Sequence, residues 1–129
     1  MGAKHLLVID DNALICEALR GLLGSTFKVT AVTSAEEAIK HAARQRPDLI
    51  LCDFTIPGMG GVNAVEMFRT RPETAHAPLV IMSGRLENEV VAELGTEHPV
   101  IFLQKPFALA DLQARLRHAL ENAPENPER

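Results

Sequence analysis

Five short apolar runs, each followed by a longer segment with helical spacing, constrain the fold of this chain more than any other feature. Leu6 to Ile9, Phe27 to Val32, Leu49 to Cys52, Leu79 to Met82 and Val100 to Leu103 are aliphatic or β-branched and predict strands. Asn12 to Gly24 carries Ile15, Ala18, Leu19, Leu22 and Leu23 at helical spacing. Ser34 followed by Glu37 predicts a capping box. The helix it opens has a stripe of Ala38, Ile39, Ala42 and Ala43, and Pro47 ends it. Gly60-Gly61 precedes a third helix with Val62, Val65 and Phe68 facing inward. Leu86, Val90 and Leu94 mark a short fourth helix, and Leu109, Leu112, Leu116 and Leu120 mark a fifth. Strands that alternate with helices make an α/β fold, a parallel sheet covered on both faces. Its crossovers are right-handed. The third and fourth runs lack polar alternation, as strands buried on both faces do.

Composition excludes several functions. The chain has 129 residues and a formal net charge of −4, without the basic surplus of a nucleic-acid binder. It has no Trp, no Tyr and only five Phe, so a base-stacking platform is not expected. Cys16 and Cys52 form no CxxC pair, and both are expected as buried free thiols in a reducing compartment. No apolar run reaches a membrane span, and no signal peptide opens the chain. The expected setting is the cytoplasm, without membrane contact. The five His show no ligand spacing and are expected at the surface or in caps. Residues 123–129 are expected to be a polar tail or linker stub.

In sheets of this kind, functional groups gather beyond the carboxyl ends of the strands. The first strand ends in Asp10-Asp11, the third in Asp53, the fourth in Ser83-Gly84, and the fifth runs into Lys105-Pro106. Helix caps and salt bridges explain any one of these groups. Carboxylates converging on one edge repel, however, and a hard divalent cation such as Mg2+ relieves that repulsion.

Four motifs stand in order at these ends: Val8-Ile9-Asp10-Asp11-Asn12, Asp53 to Gly61, Ile81-Met82-Ser83-Gly84, and Lys105-Pro106-Phe107. With them the chain resembles the receiver domains of the two-component response-regulator family, from the first strand to the final helix. The resemblance implies a flavodoxin-like fold over residues 1–122, with strand order 2-1-3-4-5. It implies a signalling module that takes a phosphoryl group from a histidine kinase or histidine phosphotransfer protein. Such a module turns over no separate substrate. Asp53 is then the phosphoacceptor. Asp10, Asp11, Asp53 and the backbone carbonyl of Thr55 are the expected Mg2+ ligands. Lys105 and Ser83 are the expected partners of the phosphoryl oxygens. A cis Lys105–Pro106 peptide is also implied. Ser83 and Phe102 are the expected switch pair: Ser83 moves toward the phosphoryl group and Phe102 turns inward. This shifts the face formed by the fourth helix, fifth strand and fifth helix. Kinase docking is implied at the first helix, where Leu14 lies off the apolar stripe.

The sequence departs from the family pattern in places. Gly60 replaces a capping Asp or Asn before the third helix. Thr55 and Arg85 hold the two variable positions beside the acceptor; Arg85 either shields the phosphate or, as the preferred reading, is a solvated cation. Glu93 to Pro99 lacks a Gly-Ala turn, and with Phe102 to Phe107 it is similar to receivers of hybrid histidine kinases. A haloacid-dehalogenase-like phosphohydrolase would need an acid at position 55, where Thr stands. A flavodoxin-like FMN site would be repelled by Asp10 and Asp11. The remaining alternative is a degenerate receiver that only binds protein. No downstream partner is legible.

Overall fold

The computed structural model describes residues 2–123. Its elements alternate: β1 (His5–Ile9), α1 (Ala13–Leu23), β2 (Lys28–Val32), α2 (Ala35–Arg44), β3 (Leu49–Asp53), α3 (Gly61–Thr70), β4 (Leu79–Ser83), α4 (Glu87–Leu94), β5 (Ile101–Gln104) and α5 (Leu109–Glu121). The five strands form one parallel sheet of order β2-β1-β3-β4-β5. This is the expected α/β architecture and the expected strand order. Of the expected tail, Ala123 is described and residues 124–129 lie outside the described residues.

Every residue of β1, β3 and β4 is buried, so these strands need apolar side chains on both faces. Successive residues point to opposite sides, and two cores result. Leu7, Ile9, Ile50, Cys52, Leu79 and Ile81 face one core with Ala38, Ala64, Phe68 and Val90. Leu6, Val8, Leu49, Leu51, Val80 and Met82 face the other with Leu19, Leu23, Leu112 and Leu116. The sheet thus lies between α2, α3 and α4 on one side and α1 and α5 on the other.

Several helical faces are rotated from the expected ones. In α1 the buried residues are Cys16, Leu19 and Leu23, while Leu22 is 51 % exposed and Ala18 is also exposed. In α2 Ala35, Ala38 and Ala42 are buried and Ala43 faces solvent. The Ser34 hydroxyl accepts the Glu37 N–H at 3.2 Å, which is one arm of the expected box. Leu86 does not belong to the α4 stripe. It precedes the helix in extended conformation and is 56 % exposed. A period of 3.6 leaves such one-residue ambiguities at helix ends, and packing resolves them.

Gly60 and Gly61 set the entry into α3. Gly60 has φ of 80°, a left-handed conformation that suits glycine, and it gives no side-chain cap. A Cβ on Gly61 would collide with the carbonyl oxygen and ring of Phe54. α3 therefore packs against the residue that follows Asp53.

His5 overturns the surface expectation for the histidines. It is buried, its Nε2 lies 2.8 Å from Thr30 Oγ1, and its Nδ1 lies 3.4 Å from the Arg46 carbonyl oxygen. A carbonyl only accepts, so the neutral ring that satisfies both contacts carries its proton on Nδ1. Burial lowers the His5 pKa below its ordinary value. The Arg46 carbonyl opposes that shift, and the charges of Lys28 and His41 add to it.

Two outcomes follow for stability. Gly61→Ala should cost about 1–3 kcal/mol in urea unfolding, because backbone rather than a flexible chain blocks the new methyl. For His5 the unfolded chain binds the proton more tightly, so its contribution is complete above about pH 6.5 and is lost as pH falls below that value. Urea unfolding at pH 7 and pH 5 should show a smaller pH-dependent loss in His5→Gln than in the parent.

Candidate functional site

The strand order places the ends of β1 and β3 side by side where the chain changes direction across the sheet, with β4 and β5 beyond β3. That is the switch-point crevice of a doubly wound sheet. Asp10 follows β1, Asp53 ends β3, Ser83 ends β4 and Lys105 follows β5. The four side chains meet because parallel strands deliver all their carboxyl ends to one edge.

Asp10 is held by its surroundings. Its N–H donates to the Val32 carbonyl at 3.1 Å, and its Oδ1 accepts the Asn12 N–H at 2.9 Å. Asn12 itself caps α1, accepting the Leu14 N–H at 2.9 Å and the Ile15 N–H at 3.3 Å. Asp53 Oδ1 accepts from the Thr55 N–H at 3.2 Å and from the Thr55 hydroxyl at 3.1 Å. This turns Asp53 Oδ2 toward Lys105, whose Nζ lies 3.5 Å away and 3.2 Å from Asp10 Oδ2. The Lys105–Pro106 peptide is cis. The Lys105 N–H donates to the Ser83 carbonyl at 2.7 Å, so β4 and the lysine are fastened together. Ser83 is fully buried, and its Oγ accepts the Arg85 N–H at 3.0 Å.

One carboxylate oxygen from each of Asp10, Asp11 and Asp53 lies within 4.8 Å of the others. Asp10 and Asp53 are buried and Asp11 is exposed. Three carboxylates against one ammonium leave two negative charges in excess. An oxygen-only donor set with that excess suits a hard divalent cation. Cys52 beside Asp53 offers no competing thiolate. Burial pushes its pKa far up, and the charges of Asp53 and Asp10 add to this. Cys16 is raised too, by burial and then by Asp10, and both thiols are free.

The remaining expected residues fall in varied places. Thr55 is exposed at the rim, above Asp53. Leu14 is 80 % exposed on α1. Phe102 is buried in the core that contains Ile81 and Val90. Lacking a hydroxyl, its ring has no polar atom to draw it into water. Arg85 is exposed, as expected of a solvated cation, and it also makes two directed contacts. It pairs with Glu93 at 2.7 Å, and its guanidinium carbon lies 5.9 Å from the Phe54 ring centroid. Arg85 lies just before α4 and Glu93 in its last turn, and no i,i+3 or i,i+4 spacing marks the pair.

Known proteins are similar to this chain in sequence and fold. The chain is 32 % identical over 124 residues to the transcriptional regulatory protein PrrA of Mycobacterium leprae, covering 93 % of this chain and 51 % of that protein. The chain thus spans about half the length of that relative. It is 26 % identical over 116 residues to the sensor histidine kinase TmoS of Ectopseudomonas mendocina, covering 90 % of this chain and 12 % of the kinase. Among solved structures, the receiver domain of the sensor histidine kinase PA1611 from Pseudomonas aeruginosa superposes with a TM-score of 0.80 at 26 % identity. The match covers 94 % of this chain and all of that one, which carries a magnesium ion in its active site cleft. The family model for the response regulator receiver domain matches residues 6–117. The chain belongs to the response regulator receiver domain family, the phosphoacceptor modules of two-component signalling.

Proposed function

We propose that Asp53 accepts a phosphoryl group from a phosphohistidine on a histidine kinase or histidine phosphotransfer protein. One observation carries the assignment: Asp53 ends β3, the central strand, so it stands between Asp10 after β1 and Ser83 at the end of β4, with its Oδ2 3.5 Å from Lys105. Oδ2 attacks phosphorus, a P–O bond forms, and the bond from phosphorus to the donor nitrogen breaks. The departing imidazole takes up a proton and leaves neutral. Lys105 draws a phosphoryl oxygen into the pocket as a compact positive charge. Ser83 donates its hydroxyl proton to another oxygen.

Asp10, Asp11 and Asp53, with the Thr55 carbonyl, are the groups to hold Mg2+. When bound, this ion neutralises the charge of the transferred group. Asp10 is fixed for that task by the Asn12 N–H. Ser83 and Phe102 form the output path. Ser83 turning toward the phosphoryl group shifts the acceptor of the Arg85 N–H, and Phe102 shares its core cluster with Val90 of α4. The face of α4, β5 and α5 is then the surface whose population changes. Residues 1–122 act as one receiver unit, with 123–129 as tail or linker. The free thiols fit a reducing cytoplasm. Among the described residues no helix is long and apolar enough to cross a membrane.

With Mg2+ and a small phosphodonor such as acetyl phosphate, intact mass should rise by one phosphoryl group in the parent and not in Asp53→Ala. An unmodified parent would favour the receiver that only binds protein. Leu14 gives a second outcome. Leu14→Arg should slow transfer from the cognate phosphohistidine donor and leave modification by acetyl phosphate unchanged, as stopped reactions resolved by mass would report. Equal slowing with both donors would remove Leu14 from the docking surface.

A further inference from the structure

Arg85 makes three contacts at the site's edge. Its N–H donates to Ser83 Oγ at 3.0 Å. Its guanidinium lies over Phe54, the residue after the acceptor, at 5.9 Å from the ring centroid. Its Nη1 lies 2.7 Å from Oε2 of Glu93, in the last turn of α4. One residue therefore joins three places: its backbone holds the end of β4, and its side chain meets the residue after β3 and the end of α4.

α4 needs this contact more than the other helices would. Glu93 sits at the negative end of the helix dipole, where an acid is unfavourable. The last turn of α4 has no basic residue of its own. Val90 is the buried residue of the helix, and Leu86 offers no side-chain cap. Arg85 supplies the missing positive charge from outside the helix.

The hold is weak, since both side chains are nearly half exposed, at 42 % and 47 %. Exposed pairs are screened by water and contribute little. A phosphoryl group on Asp53 is the stronger attractor, because it carries close to two negative charges and matches the planar guanidinium fork.

We infer that Arg85 is a positioning residue shared between two anions: Glu93 while Asp53 is unmodified, and the phosphoryl group once Asp53 carries one. The inference rests on Asp53 being the phosphoacceptor. The backbone N–H of Arg85 bonds to Ser83 Oγ, so the turn of Ser83 toward the phosphoryl group carries Arg85 with it. It leaves Glu93 without its cation and loosens the last turn of α4. The coupling is reciprocal: whatever Glu93 contributes to holding Arg85, it subtracts from the phosphorylated state.

The test uses beryllofluoride with Mg2+ as an equilibrium mimic of the phosphoryl group, on the whole chain. Glu93→Gln should bind it about threefold more tightly than the parent, the scale of an exposed pair. Arg85→Ala should bind it more weakly, and adding Glu93→Gln to Arg85→Ala should change nothing further. Arg85→Lys, which keeps the charge and loses the fork, should fall between the parent and Arg85→Ala. Amide exchange in the last turn of α4 should quicken in the parent when beryllofluoride binds. In Arg85→Ala, which leaves Glu93 without its cation, it should be quick beforehand. Unchanged affinity in Glu93→Gln, or an equal gain in the Arg85→Ala background, overturns the shared-arginine inference alone. Failure of the parent to bind, or binding by Asp53→Ala, overturns the assignment of Asp53 and this inference with it.

Discussion

Two carboxylates stand buried next to each other at the ends of β1 and β3, and one ammonium lies within 3.5 Å of both. Isolated charges of this kind are expensive to remove from water. The structure reduces the cost with directed hydrogen bonds, from the Asn12 N–H to Asp10 and from Thr55 to Asp53. Lys105 reaches the pair only because β5 lies on the far side of β4 and its N–H is fastened to the Ser83 carbonyl. The order of the strands, the cap of α1 and the loop after β3 all bear on one charge cluster. Its excess of negative charge is what makes a cation, and then a phosphoryl group with that cation, a suitable guest.

The surroundings of the cluster are built to stay still on one side and to move on another. Phe54 is wedged against Gly61 so closely that a methyl group has no room, which fixes the chain just after Asp53. β1, β3 and β4 are buried throughout. α4 differs: it is eight residues long, buries Val90, and relies on Arg85 for positive charge at its end. Weakly anchored elements open at low free energy, and signalling segments come from that class. The firmly packed half holds Asp53, and the lighter half holds Glu93, the partner of Arg85.

The locations of the strands, the two-sided burial of β3 and β4, and the four groups at the strand ends were legible in the sequence. Long apolar runs and polar residues just past them are local signals. The helix faces were legible only to within about one residue. Ala18, Leu22, Ala43 and Leu86 fit an apolar stripe by spacing, yet all four face solvent. His5 was misplaced for a related reason. A histidine at a strand start looks exposed until the Thr30 hydroxyl and Arg46 carbonyl are known to converge on it.

By itself, then, the sequence determined which residues meet at the crevice, because parallel strands deliver their carboxyl ends to one edge whatever the details of packing. It also determined that Asp53 lies beside a Thr and not a second acid. Only the tertiary structure decided which charges pair. Arg85 and Glu93 are eight positions apart across a turn and a helix, and Lys105 and Asp10 are 95 apart. Phe102 likewise carries no mark of its rotamer in the sequence, and its burial follows from the cluster it shares with Ile81 and Val90. Pairings of this kind depend on distances of a few ångströms between elements, and those are fixed by how the helices seat on the sheet.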